Sequence, residues 1–241
     1  HDLAIPPAEI VILAPYLSDA LRYGIFHRLE MLSIPVRSHR PSRSLREEPV
    51  TNVLLTLARL AHPQWNLSVT KSDLAYALLQ TIEGLDLVRS HLLAEIVFRT
   101  RAGLRWLESF DPISASTQTR ITFLAGERYE YIRMWLESYR TYPSLELDHF
   151  WATLFGEVLS QPGFRFHSSF EAASVTAHLI ESVQKFRRIA SASLATQSIP
   201  VGKEYIQMVE EGVIAAQYLE SWQRPTENCV LLAPAYTFLM S

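Results

Sequence analysis

The 241-residue chain holds a single cysteine and only eight glycines. One cysteine excludes an intrachain disulfide framework and fits a reducing compartment, so a cytoplasmic protein is expected. Eight glycines fall well short of the roughly 17 that ~7% usage would supply. Scarce glycine beside abundant Leu, Ala, Glu and Arg favours helices. No apolar run approaches the ~18 residues of a membrane span, and no signal-peptide pattern opens the chain, so no membrane partner is expected. Formal net charge is −3. No global field draws such a chain to DNA or an anionic bilayer, and any nucleic-acid contact must come from a local patch.

Chemical signatures are missing as well. There is no GxxxxGK followed by Ser or Thr and no GxGxxG, so this stretch alone has no route to nucleotide phosphates. HExxH, CxxC and GxSxG are absent, and the eight histidines are scattered. His178, on a helix near an apolar face, reads as a structural histidine. Cys229, inside an apolar run, reads as a small buried hydrophobe rather than a reactive thiol. Glu47-Glu48 and Glu210-Glu211 are adjacent pairs; neighbours on a helix do not face each other, so they read as solvated charges rather than a catalytic dyad. Trp135, Tyr139, Tyr142, Phe150, Trp151 and Phe155 recur at helical spacing, as core aromatics do more often than a base-stacking platform. No catalytic residue and no metal ligand is assigned, and no cofactor is expected in this chain by itself.

What is present is a core-forming composition, 48% hydrophobic, and two ends that resemble each other. Glu9-Ile10-Val11-Ile12-Leu13-Ala14-Pro15 and Asn228-Cys229-Val230-Leu231-Leu232-Ala233-Pro234 are short apolar runs stopped by proline. Each fits a strand covered on both faces, as in a parallel α/β sheet. A helix is expected from about Asp19 to Leu32, capped by Ser18 and burying Ile25, Leu29 and Leu32. Ile34-Pro35-Val36-Arg37 then reads as a short edge strand. A helix from about Glu47 to Ala61 shows Val50, Val53, Leu54, Leu57, Leu60 and Ala61 on one face, and His62-Pro63 stops it.

From Trp65 to Cys229 the pattern is helical throughout. Leu74, Ala77, Leu78, Thr81 and Ile82 mark one helix, capped by Thr70 or Ser72. Leu85, Val88, Leu92 and Ile96 mark a second. A third is expected from about Thr117 to Tyr139. Leu147, Phe150, Trp151, Leu154, Phe155, Val158 and Leu159 form the cleanest apolar stripe. Further helices are expected over about Ser168–Ala190 and Gly202–Trp222. The fold class is therefore mainly α with a small α/β part. Domain boundaries are expected at Pro63–Leu67 and Gln223–Glu227. The apolar closing residues Phe238-Leu239-Met240 read as the cut end of a longer protein.

One patch stands out. Arg37, Arg40, Arg43 and Arg46 recur every three residues around His39. Guanidinium groups on a loop after a strand can hold phosphates bidentately. The alternative is a solvated loop with Arg46 paired to Glu47 or Glu48.

Ala8–Ala14, Leu21–Arg37, Ser44–Val50 and Asn52–Leu60, with Glu210-Glu211-Gly212-Val213 ahead of Cys229–Leu232, together resemble the second RecA-like domain of UvrD/Rep/RecB-type superfamily 1 helicases. The resemblance implies a helical domain, called 2B, inserted into a RecA-like parallel-sheet fragment: 1–63 with 225–241 as the sheet part, 64–224 as the insert. It implies a fragment of an ATP-dependent DNA helicase or translocase, with ATP and Mg bound by the full-length protein and none by the fragment. The implied partners are single-stranded or junction DNA and the first RecA-like domain of the same chain. Nucleotide-binding segments would then lie before His1 and the last helicase motif after Ser241. Arg37, Arg40 and Arg43 become the expected contacts to the DNA backbone. Two positions depart from the family. Pro15 stands near where the family has a phosphate-sensing arginine, and Ala233-Pro234-Ala235-Tyr236 stands where a Thr-x-His-x-x-Lys-Gly-Leu-Glu segment is usual. These departures support a second reading, a degraded relative serving as a protein scaffold. A third, an unrelated all-helical interaction module, requires Val11 and Val230 to lie apart.

Overall fold

The computed structural model describes residues 5–15, 17, 19–38, 47–101, 104–141, 146–212 and 228–235; for 19, 20, 22, 38, 101, 104 and 105 it describes the backbone alone. The strands are β1 (Val11–Ala14), β2 (Val36–Ser38), β3 (Phe98–Arg101), β4 (Leu104–Leu107) and β5 (Val230–Pro234). The helices are α1 (Asp19–Met31), α2 (Pro49–Ala61), α3 (Lys71–Thr81), α4 (Leu87–Val97), α5 (Ala115–Ile121), α6 (Phe123–Thr141), α7 (Leu147–Leu154), α8 (Phe170–Thr196) and α9 (Val201–Glu210). Contacts divide the chain into two units, His1–Arg43 with Gln217–Ser241, and Ser44–Ala216.

The first unit is a parallel three-stranded sheet in the order β1-β5-β2. Val11 pairs with Leu231 and Ala14 with Pro234; on the other side Val36 pairs with Val230. The apolar runs from the two ends of the chain are thus hydrogen-bonded neighbours, and β2 is an edge as its proline suggested. Pro35, which has no N–H to give, accepts from Val230 N at 2.9 Å. Ile12, Ala14, Leu17, Leu232 and Val36 pack with Ile25 and Phe26 of α1. The opposite face differs from expectation. Val11 and Leu13 are 39% and 44% exposed, so β1 is covered on one face, not two. Leu32, expected inward, is exposed because α1 ends at Met31 and Ser33 turns the chain at φ 57°.

In the second unit α2 is the central helix. Ten of its residues are buried, from Val50 round to Thr51, Leu55 and Thr56 on the side that the sequence pattern leaves open. Pro49, Asn52 and Arg59 alone are half-buried, and a helix enclosed to that degree is a core helix. It packs on α3, α6, α7 and α8, and Trp151 Nε1 donates to its Leu54 carbonyl at 3.1 Å. The contact division therefore groups α2 with the helices, whereas the sequence pattern groups it with the sheet.

Thr70 caps α3 in a capping box with Asp73. Asp86 caps α4 by accepting from Arg89 N at 2.8 Å, and packing on α3 and α5 buries a different face from the one expected: Ser90, Leu93, Ala94 and Val97 point inward while Val88 is exposed. The single helix expected over Thr117–Tyr139 is two, α5 and α6, parted where Thr122 takes φ 86°. The stripe that begins at Leu147 is α-helical to Leu154 and then π-helical over Phe155–Leu159. Ser169 caps α8, which runs on to Thr196. α9 ends at Glu210 with Gly212 at φ 76°; the rest of the helix expected there falls outside the described residues. The antiparallel β3–β4 hairpin, Phe98 opposite Leu107 and Arg101 opposite Leu104, lies where only helix was expected. Four-residue strands carrying three arginines hold too little alternation for a strand signal.

Candidate nucleic-acid interface

The basic patch begins on β2. Its middle residue, Arg37, is exposed and sits in register with Leu231 of the central strand. Arg40 and Arg43, with His39 and Arg46, lie outside the described residues. Arg37 thus stands near the carboxyl end of an edge strand of a parallel sheet. In open α/β sheets, ligands are bound beyond the carboxyl ends of the strands. At that same end β1 and β5 finish side by side, Ala14 in register with Pro234. The two departures from the helicase pattern, Pro15 and Pro234, therefore fall on neighbouring strand ends.

The remaining residues singled out in the sequence are structural. Cys229 is buried and free. His178 is exposed on α8, Nδ1 2.7 Å from the Ser174 carbonyl oxygen. Glu210 pairs with Arg59 at 2.8 Å. Glu48, read as solvated, is buried at the start of α2. Of the aromatics at helical spacing, Phe150 and Trp151 are fully buried, Trp135, Tyr139 and Phe155 are half-buried with Trp135 stacked on Tyr139 at a centroid distance of 5.9 Å, and Tyr142 lies outside the described residues.

Two polar centres were not visible in the sequence. His62, read only as a helix stop, is 1% exposed and stacks on Trp65 with centroids 3.9 Å apart. Its Nδ1 lies 2.9 Å from the Ala58 carbonyl oxygen, which can only accept, so the neutral ring carries its proton there. Nε2 then accepts from the Tyr139 hydroxyl at 2.9 Å. Burial, reinforced by the Arg140 charge, holds its pKa below the usual histidine value, against an opposing pull from the Ala58 carbonyl. Asp148 is 1% exposed and receives both Arg187 Nη atoms, at 2.9 and 3.0 Å, and Gln184 Nε2 at 3.2 Å. Its oxygens are engaged, and nothing in that geometry leaves it free to act on a substrate.

An open groove of about 510 Å³ between the start of α4 and the end of α5 is lined by Leu87, Val88, Leu92, Thr119 and Arg120, with Asp86 paired to Arg89 at 3.5 Å. Among the described residues no cluster of His, Cys, Asp or Glu is arranged to hold a metal ion, and no helix is long and apolar enough to cross a membrane. No family model matches the chain, and no curated protein or solved structure was found to match it.

Proposed function

We propose that this chain is part of an ATP-dependent superfamily 1 DNA motor, comprising a piece of its second RecA-like domain and the helical domain inserted there. The observation that supports it is the parallel pairing of β1 with β5, made by segments that flank the whole helical stretch. An insertion between two strands of one sheet gives pairing of this kind. The bare outer face of β1 agrees, because parallel sheets are covered on both faces in complete α/β layers and Val11 and Leu13 await such cover. The basic run from Arg37 through Arg40 to Arg43 contacts the DNA backbone, and such contacts are sequence-neutral and weaken with salt. ATP and Mg are bound by the full-length protein. The test replaces Arg37, Arg40 and Arg43 together with Ala in the full chain. Single-stranded DNA affinity should fall and its salt dependence should flatten; unchanged affinity removes the patch from the motor.

The scaffold reading is favoured by one observation, the two prolines that meet at the carboxyl ends of β1 and β5. A strand end that must sense nucleotide and couple it to DNA is poorly served by residues without side-chain donors. DNA-stimulated ATP hydrolysis by the full-length polypeptide supports the motor, and its absence alongside retained DNA binding supports the scaffold.

A further inference from the structure

The first turn of α4 places two aliphatic side chains where local rules favour polar ones. Leu87 and Val88 open the helix, which has no acid in its first turn, although Asp and Glu there would suit the helix dipole. They are 59% and 74% exposed, so the core does not account for them. Single exposed hydrophobes are ordinary. These two are not single: with Leu92 they line the groove of about 510 Å³ that also takes in Thr119 and Arg120, at the end of α5. The charge around it is one-sided. Asp86, the carboxylate among the lining residues, is engaged by its own helix: Oδ1 accepts from Arg89 N at 2.8 Å and Oδ2 lies 3.5 Å from Arg89 Nε. The Thr119 hydroxyl donates to the Ala115 carbonyl at 2.9 Å. Arg120 is exposed, and its guanidinium has no hydrogen-bond or ion-pair partner among the described residues. What the groove offers a ligand is an apolar floor beside a free cation.

We propose that this groove docks an acidic, apolar peptide segment of a partner protein: large aliphatic or aromatic side chains lie against Leu87, Val88 and Leu92, and an Asp or Glu carboxylate pairs with Arg120. Its size falls within the roughly 300–1,000 Å³ of ligand sites, but those bury most of a small molecule. This groove is open, and suits side chains that project from a chain running past it. A planar guanidinium beside apolar surface matches a carboxylate bidentately. A nucleic-acid backbone is the poorer fit, because affinity for polyphosphate grows with the number of cations that meet it. The surface lies within the helical unit and is independent of the DNA-motor reading above.

Methyl NMR on the full chain, labelled at Leu and Val, tests this with two pools of end-blocked peptides. Both pools carry the same Leu, Ile and Phe positions; the intervening residues are Asp and Glu in one pool, Lys and Gln in the other. The acidic pool should shift the Leu87, Val88 and Leu92 methyls saturably, and the basic pool should not. Arg120→Ala should weaken the acidic pool about tenfold, as loss of a charge-assisted hydrogen bond does. Val88→Asp should abolish the shifts at Leu87 and Leu92. Both substituted positions are exposed, so the variants should keep the fold, with the methyl shifts of α2 and α7 unchanged. Equal shifts from both pools overturn the assignment. So do no shifts from either, or an acidic pool that binds the Arg120→Ala chain as tightly as the parent. A single-stranded DNA oligonucleotide that moves the same methyls as strongly as the acidic pool gives the surface to nucleic acid. Shifts that grow with protein concentration alone give it to a second copy of the chain. Either of these also overturns the peptide assignment.

Discussion

His62 shows what one buried titratable group does to the helical unit. Its ring is held neutral between Ala58 and Tyr139, stacked on Trp65 and beside the Arg140 charge. The folded-state pKa lies below the ordinary value of 6.5, so between those two values the unfolded chain binds more protons than the folded one. Stability then rises with pH through that window, is fully present above it, and drains away as pH falls below about 6.5. Urea titrations from pH 4 to pH 8 on the parent and on His62→Gln should diverge in slope, the variant being the flatter. Parallel slopes would show that His62 titrates alike in both states. Little of this is legible in the sequence. His62-Pro63 reads only as a helix stop, because burial by Trp65, Tyr139 and Phe150 depends on partners far along the chain. Arg37, by contrast, lies where the sequence pattern puts it, exposed on a short edge strand.

Elements were legible where apolar periodicity was strong and illegible where backbone geometry or cross-strand pairing decided. The stripe from Leu147 to Leu159 forms the buried wall its spacing implied. The Thr122 break and the β3–β4 hairpin gave no such signal, and α4 buries Ser90 and Ala94 while Leu87 and Val88 are exposed. Close helix packing adds a constraint of its own. A Cβ built on Gly126 of α6 would lie 2.1 Å from the Phe110 ring, and that ring is 4% exposed with no room to withdraw. Gly126→Ala should cost about 1–3 kcal/mol by overpacking, despite alanine's better helix propensity. Gly24 of α1 has nothing within 4 Å of its Cβ position, and Gly24→Ala should instead stabilise by up to ~1 kcal/mol. Denaturant midpoints moving in the same direction for both would contradict these packing arguments.

The whole molecule joins a well-filled helical unit to a thinly filled sheet. α2 alone buries ten residues, whereas burial among the described residues of the sheet unit is confined to Ala14, Leu17 and the central segment Cys229, Val230, Leu232, Ala233 and Pro234. A three-stranded sheet whose strand β1 is bare on one face lacks the burial that resists local opening. Hydrogen exchange followed by mass spectrometry should show β1 and β5 amides exchanging well before those of α2, under conditions where α2 remains protected. Equal protection would mean that the sheet is stabilised by something other than its own core. The paired chain ends were legible from two similar apolar runs, and the mainly helical character from composition. The central place of α2 was not, since one apolar face was enough to describe it and only its neighbours show that Thr51, Leu55 and Thr56 are buried as well.

The middle strand of the sheet is the last one made. β1 and β2 leave the ribosome early and find their shared partner only when Val230–Pro234 emerges, about 190 residues after Ser38, a delay of roughly 10–40 s at translation rates of 5–20 residues per second. All of Ser44–Ala216, the second contact unit, is made within that interval. A nascent chain therefore carries a helical body that can be finished while the two strands made before it still wait for their partner. Any premature stop ahead of Val230 releases those two strands without the one that joins them.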